Sequence, residues 1–163
     1  KNLIYMIISL FPFYKKPLIK SLQIIVLVSV FYSCSSEPKK INFGIDQCDF
    51  CLMTIVDKKH ASQLITRKGK TYTFDSVECM LNNLKEKNSN EYSHFLVSTY
   101  DKPIELIDAK TSFFLFSKSI PSPMGEYLTA FASKVKANDF QEKKGGEVYD
   151  WDGLINKYNI LNN

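Results

Sequence analysis

The sequence predicts an α+β domain with a mainly antiparallel sheet. Three observations favour this fold class. A β-rich run turns back on itself at a glycine-containing turn, as a hairpin does. An apolar repeat at helical spacing follows directly. The rest of the chain alternates short β-rich runs, a loop with proline and glycine, and further helical segments, an order typical of mixed folds.

The first predicted elements are a hairpin and a helix. Two β-rich runs, His60–Thr66 and Thr71–Phe74, flank the turn that contains the glycine. An N-cap at Asp75-Ser76, with Glu78 three residues after the aspartate, precedes apolar residues at helical spacing. The pattern therefore predicts a helix over residues 76–87.

The second half of the chain continues with short elements. Two prolines and a glycine in residues 119–125 predict a loop, and the pair Gly145-Gly146 predicts the end of a helix. The ordered segments predicted around them are strands at Phe95–Ser98, Ile104–Leu106, Ser112–Phe116 and Val148–Tyr149, an ordered stretch at Tyr127–Ala132, and helices at Ser133–Lys143 and Trp151–Tyr158.

The charge of the chain belongs to its N-terminal segment. The first 33 of the 163 residues hold four lysines and no acidic residue. The other 130 residues hold 17 basic and 17 acidic residues, so their formal charge is zero. Because no basic stripe interleaved with aromatic residues is present either, we expect no nucleic-acid partner.

The N-terminal segment has the character of a secretory signal. A basic run at residues 15–20 precedes an apolar stretch of about eleven residues, which is short of the roughly 20 needed to span a bilayer. The stretch ends at Ser33-Cys34, as in a bacterial lipoprotein whose Cys34 is acylated after cleavage; an uncleaved anchor with an ordinary thiol at Cys34 is the alternative. The predicted organisation is a signal peptide over 1–33, a polar tether over 34–44 and a domain over 45–163.

A sulfur-rich segment carries the clearest chemical signal. Cys48 and Cys51 have Cys-x-x-Cys spacing, and Met53 follows two residues after Cys51. If the segment is extended, Cys51 and Met53 point to the same face. A thiolate and a thioether together suit Cu(I), whereas thioether is not among the ligands that zinc takes.

Two other interpretations of Cys-x-x-Cys stay open. It is half of a zinc knuckle if Cys79 with His60 or His94 completes the ligand set, although none lies at zinc-finger spacing. It is also the thioredoxin-type redox motif, but that motif opens a helix and the residues after Met53 are β-like.

Three further residues are candidates near this segment. Met124 lies in a proline-stiffened loop where no periodicity requires a large apolar side chain, so it is a candidate third sulfur ligand. Cys79 lies on the predicted helix, and we expect a buried thiol there, with a reserve ligand as the alternative. His60 follows the sulfur-rich segment and is the likelier of the two histidines to reach a metal.

These segments together resemble the NosL family over about residues 48–154. Each segment is short, but their order behind a lipoprotein-like leader is fairly specific. Leu52 stands where the family usually has glycine in Cys-Gly-Met. The matching segments are Cys51-Leu52-Met53, Ala61-Ser62-Gln63, Phe74-Asp75, Cys79-Met80, Ser122-Pro123-Met124-Gly125, Ala130-Phe131-Ala132 and Gly145-Gly146.

The resemblance implies a fold and a function. The fold is α+β with two related ββα-type halves. The function is Cu(I) binding through Cys51 and Met53, with Met124 as third ligand. From its Cys-x-x-Cys spacing to Cys51, we predict Cys48 as a further metal ligand. The resemblance also implies delivery of copper, through a copper-handling membrane transporter complex, to apo-nitrous oxide reductase. The protein would be a lipid-anchored, non-catalytic chaperone that faces the periplasm.

The residues themselves agree with a role other than catalysis. The chain has no phosphate-cradling glycine-rich loop and no His-Glu-x-x-His motif. We therefore predict that the protein is not an enzyme. The alternative function is a structural zinc-knuckle module that docks another protein.

Overall fold

The computed structural model describes residues 37–160. Their regular structure is two antiparallel sheets and three α-helices. The predicted signal segment and Cys34 lie outside these residues. Residues 37–40 of the predicted tether are exposed and have no regular secondary structure. Among the described helices, the longest has eleven residues, and none has the length and apolar character to cross a bilayer.

The first sheet has four strands in the order β2-β1-β3-β4. The predicted hairpin is confirmed, because β1 and β2 pair antiparallel with Ser62 opposite Phe74. The predicted helix is also confirmed and connects β2 to β3. The bounds are β1 Ser62–Thr66, β2 Thr71–Phe74, α1 Val77–Glu86, β3 Tyr92–Ser98 and β4 Leu106–Asp108.

The second sheet has three strands in the order β6-β5-β7, and both pairings are antiparallel. Its first two strands and the helix after them repeat the order of β1, β2 and α1. The predicted α+β class with two ββα-type halves is therefore confirmed. The bounds are β5 Phe113–Phe116, β6 Leu128–Phe131, α2 Lys134–Lys144, β7 Glu147–Tyr149 and α3 Trp151–Lys157.

The start of α1 differs in detail from the sequence prediction. Ser76 is the N-cap, and its hydroxyl accepts a hydrogen bond from the Cys79 backbone N–H at 3.2 Å. Asp75 and Glu78 do not form the predicted capping pair. The Asp75 carboxylate turns toward the cysteines instead, and Glu78 turns toward the second half of the chain.

One apolar core joins the two halves. Met80, Leu81 and other apolar residues of α1 are fully buried in it together with side chains of both sheets. Trp151 of α3 contacts Phe95 of the first sheet and Phe114 of the second, with ring centroids 5.5 and 6.1 Å apart. A smaller core packs α2 on the other side of the second sheet.

Candidate metal centre

The sulfur-rich segment folds as a tight hairpin, here called the sulfur hairpin (residues 46–55). Its arms are joined at Gln47 and Thr54, and the Cys48 N–H donates to the Met53 carbonyl at 2.8 Å. The Leu52 N–H donates back to the Cys48 carbonyl at 3.0 Å, and Leu52 has a φ of 65°. The segment is therefore not extended between Cys51 and Met53, as the same-face arrangement of these two residues would require, because the chain turns at the residue between them.

Backbone hydrogen bonds fix the sulfur hairpin to the edge strand β2. The Asp49 N–H donates to the Thr73 carbonyl at 2.8 Å, and the Thr73 N–H donates to the Asp49 carboxylate at 2.6 Å. Strand β2 leads within three residues into α1, which carries Cys79 in its first turn. The hairpin cysteines therefore meet the start of α1.

Three thiols and one carboxylate converge at this point. One ligand atom from each of Cys48, Cys51, Asp75 and Cys79 lies within 4.8 Å of all the others. All three cysteines are free thiols; Cys48 and Cys79 are fully buried, and Cys51 is half-buried. The site is therefore closed on its inner side and reaches solvent through Cys51.

The groups of the cluster also contact one another. The Cys51 thiol lies 3.6 Å from Asp75 Oδ2, within hydrogen-bond reach for sulfur. The other oxygen of that carboxylate is buried and has no hydrogen-bond partner within the described residues. A buried carboxylate oxygen that lacks a donor is a site that a cation can occupy.

The thiols differ in their readiness to lose a proton. The neighbouring Cys79 thiol lowers the pKa of Cys48 to about 6, and the neighbouring Cys48 raises the pKa of Cys79. Burial raises the pKa of Cys51. Because thiols bind metals as thiolates, the Cys48 sulfur is the donor that needs the least help to deprotonate.

Cys79 and Asp75 join the cluster although the sequence predicted a buried thiol at Cys79, with a ligand only as the alternative, and no metal ligand at Asp75. Cys79 is buried, as predicted, but its sulfur points at the hairpin cysteines. The available sequence signal was a cysteine three residues after a helix N-cap, where the helix dipole favours a thiolate. Asp75 gave no such signal, because an aspartate just before a helix is typical of an N-cap.

The two methionines occupy different surroundings. Met53 is 54% exposed at the end of the sulfur hairpin. Met124 is half-buried against the main core, in a loop whose Ser122 hydroxyl donates to the Glu78 carboxylate at 2.5 Å. This bond ties the loop to the α1 residue next to Cys79. Binding of a metal by Met53 or Met124 stays a prediction.

His60 is occupied elsewhere. Its Nδ1 lies 2.9 Å from the Asp57 carboxylate, and its Nε2 lies 3.3 Å from the Thr129 hydroxyl. Both ring nitrogens of this buried residue therefore have protein partners, and neither is left for an ion. His94 is exposed on β3, where its Nδ1 contacts the Ser93 hydroxyl at 3.0 Å.

The fold and the site define an α+β domain of two ββα halves with a cluster of soft metal ligands at the start of its first helix. The model of the NosL family matches residues 41–158, and the chain belongs to the NosL family. The chain is also similar to the crystal structure of the copper chaperone NosL from Shewanella denitrificans, with a TM-score of 0.59 and 26% identity over 71% of this chain and 96% of that one. A search of curated proteins gave no match.

Proposed function

We propose that this protein is a copper(I) chaperone of the bacterial cell envelope. The observation that carries the proposal is the convergence of three free cysteines and one aspartate within 4.8 Å. Sulfur donors of this kind favour Cu(I) over harder ions. The similarity to a copper chaperone structure, at 26% identity, supports the same ion.

The proposed ligand set combines inner and outer donors. Cys51 and Cys48 bind the ion as thiolates, and Cys79 is within reach as a third thiolate. Met53 lies on the solvent side, and Met124 is the proposed thioether from the second half of the chain. An ion held mainly by thiolates, with half-buried Cys51 and exposed Met53 toward solvent, leaves an open direction from which a partner's ligand can enter.

The surroundings of the site favour transfer to another protein. Large apolar side chains are exposed on and beside the sulfur hairpin at Ile45, Leu52, Met53 and Val56, with 79, 70, 54 and 68% exposure. Exposed apolar residues grouped in this way are typical of a protein-docking surface. A partner that covers them would exclude water while the copper moves.

The proposed partners follow from the family resemblance. Copper would pass to apo-nitrous oxide reductase through a copper-handling membrane transporter complex. Acylation of Cys34 would hold the domain on a membrane, facing the periplasm. A Cys34→Ser variant of the full chain should then lose incorporation of a fatty-acid analogue, and a wild type that stays unlabelled would contradict the anchor.

We propose carriage rather than catalysis for this site. Two clefts of the described residues, 410 and 460 Å³ in volume, are lined by other residues and contain none of the cysteines. The cysteine cluster supplies ligands for an ion, and neither of these clefts includes it, which supports carriage of an ion over conversion of an organic substrate.

The experiment is an anaerobic Cu(I) titration of single cysteine variants. Cys51→Ser should weaken Cu(I) binding by more than roughly 100-fold, since even groups that only orient a metal ligand contribute about 10- to 100-fold. Cys48→Ser should weaken binding to a similar degree, because Cys48 is the thiol that deprotonates most readily, and Cys79→Ser should weaken it less. Cys34→Ser is the matched control because it removes a cysteine outside the cluster. A Cys51→Ser variant that binds Cu(I) as tightly as Cys34→Ser does would reject the cysteine cluster as the copper site.

A structural zinc site is the second candidate, and one observation favours it. Three cysteines and one aspartate are a four-ligand set of the kind that zinc takes in tetrahedral sites. Structural zinc contributes folding energy outright, so its removal should unfold the domain. A copper chaperone should stay folded without metal. Circular dichroism of the metal-free chain separates the two functions.

A further inference from the structure

A basic cleft lies where the described chain begins. Its volume is 410 Å³, and three lysines, Lys39, Lys40 and Lys58, line it together with apolar side chains. We call it the lysine cleft and define it by these lysines with Pro38, Phe43 and Ile104. No carboxylate lines it. A cleft with several cations and no anion fits a ligand that is itself anionic.

The lysines are available to such a ligand. All three are exposed, and among the described residues neither Lys40 nor Lys58 pairs with a carboxylate. Lys39 has a long ion pair with Asp46 at 3.7 Å while its side chain stays 58% exposed. The Lys58 ammonium lies 5.8 Å from the centre of the Phe43 ring, so cation and aromatic face line the same space.

The apolar part of the cleft includes an unusual residue. Ile104 is 64% exposed and has a φ of 92°, a conformation that β-branched residues rarely adopt. An exposed isoleucine beside lysines combines an apolar and a cationic surface. The interface of a phospholipid membrane, with anionic headgroups over acyl chains, has the complementary character.

The place of the cleft in the chain points to the same ligand. Pro38, which lines it, is four residues after Cys34, the proposed acylation site. Four extended residues reach at most about 14 Å. An acyl anchor on Cys34 would therefore hold the cleft near the bilayer surface, where anionic lipids attract lysines within roughly one Debye length of about 8 Å.

We propose that the lysine cleft docks on anionic phospholipid headgroups of the membrane to which the chain is anchored. This inference rests on the acylation of Cys34 in the proposed function. Phe43 lies just before the sulfur hairpin. Asp46, the partner of Lys39, is the first residue of that hairpin. Docking would thus hold the base of the sulfur hairpin at the bilayer surface, close to a membrane-embedded copper source or acceptor.

The test is hydrogen–deuterium exchange of the full, acylated chain in vesicles. Phosphatidylcholine vesicles are compared with phosphatidylcholine–phosphatidylglycerol vesicles at low and high salt. Exchange in residues 37–43 and 102–106 should slow in the anionic vesicles, by up to roughly 100-fold for three lysines at low salt. High salt should remove the difference, because it screens the attraction.

Two charge-matched variants give the control. K39E/K40E/K58E should lose the slowing, whereas K136E/K143E/K144E, which changes three exposed lysines of α2, should keep it. Equal exchange in both vesicle types, or slowing that K39E/K40E/K58E retains, would overturn the proposal. Inorganic phosphate that reproduces the slowing without vesicles would also overturn it, because the ligand would then be a free anion.

Failure of the acyl anchor gives a different result from failure of the lysine cleft. If Cys34 is not acylated, the wild-type chain should not sediment with phosphatidylcholine vesicles. Sedimentation with those vesicles together with equal exchange in both vesicle types would reject the cleft alone and leave the anchor in place. Copper binding by the cysteine variants is measured without vesicles, so failure of the copper site does not alter this result.

Discussion

Leu52 is the residue at which the sulfur hairpin turns, and its φ of 65° lies in the left-handed region. An L side chain in that region costs about 1–2 kcal/mol, and glycine avoids this cost but loses more backbone entropy on folding. We expect Leu52→Gly to raise the free energy of unfolding by up to about 1 kcal/mol in urea titrations. Leu52→Ala keeps the strain and is the control. A Gly variant less stable than the Ala variant would show that the turn is not strained.

Met124 is the candidate ligand contributed by the second half of the chain. Because leucine and methionine have similar volumes, Met124→Leu should cost less than about 1.5 kcal/mol of stability. If the thioether binds copper, Cu(I) affinity should nevertheless fall, while zinc affinity hardly changes. Chelator competition measures both affinities. Unchanged Cu(I) affinity in a folded Met124→Leu variant would leave Met124 as a packing residue only.

At the residue scale, ligand chemistry was easier to predict than ligand geometry. Cys48 and Cys51 were recognisable from their spacing alone. Asp75 was not, because its role depends on β2 and the sulfur hairpin meeting at Thr73, a contact between residues 24 apart in sequence. Cys79 was predicted to be buried, and it is. Its approach to Cys48 depends on the same contact.

The end of α2 is a turn that only glycine fits. Gly145 and Gly146 have φ values of 68° and 107°. A Cβ at Gly146 would collide with the Phe116 carbonyl of β5, whereas a Cβ at Gly145 would meet nothing within 4 Å. Gly146→Ala should therefore destabilise the domain by clearly more than the roughly 1 kcal/mol expected for Gly145→Ala. Urea unfolding compares the two, and equal losses would contradict this close approach.

Glu78 is the element-scale link between α1 and the loop that carries Met124. Its buried carboxylate accepts hydrogen bonds from the Ser122 hydroxyl at 2.5 Å and the Leu128 N–H at 3.1 Å. Burial raises the pKa of Glu78 above its ordinary value of 4.5. The folded state therefore holds the proton more tightly than the unfolded state, so this contribution to stability is complete below pH 4.5 and is lost as pH rises through the folded pKa.

The Glu78→Gln variant tests whether this contribution to stability is lost as pH rises. Glu78→Gln keeps an oxygen that can accept both hydrogen bonds and removes the charge. Between about pH 5 and 8, the metal-free variant should therefore lose less stability than the metal-free wild type does. Glu86→Gln removes the same charge from the exposed end of α1 and is the control. If both variants follow the wild-type pH profile of unfolding, Glu78 is not the group responsible.

The elements were largely predictable because their signals are local. The β1–β2 hairpin, α1 and the glycine-ended α2 follow from turn chemistry, apolar spacing and capping residues within about a dozen positions. The capping pair of Asp75 and Glu78 was wrong for a reason that is not local. Both carboxylates have partners in other elements, and the neighbouring Ser76 can cap the helix in their place.

At the scale of the whole molecule, the two ββα halves carry different candidate residues. The first half carries the cysteine cluster and the sulfur hairpin, and the second contributes Met124 and the bond from Ser122 to Glu78. The order of strands within each sheet could not be predicted from the sequence, since pairing such as β1 with β3 joins segments about thirty residues apart. Assembly of the cysteine cluster depends on another long-range contact, the one between the sulfur hairpin and β2 at Thr73.

Competition between copper and zinc is the most direct test of whether the assembled site selects copper. The metal-free full chain is titrated anaerobically with Cu(I) against a colourless chelator and, under matched conditions, with zinc. We expect one Cu(I) per chain, bound more tightly than zinc, because thiolate and thioether donors favour a soft monovalent ion. Zinc bound more tightly than Cu(I), together with a domain that folds only when zinc is present, would contradict the chaperone function and favour a structural zinc site.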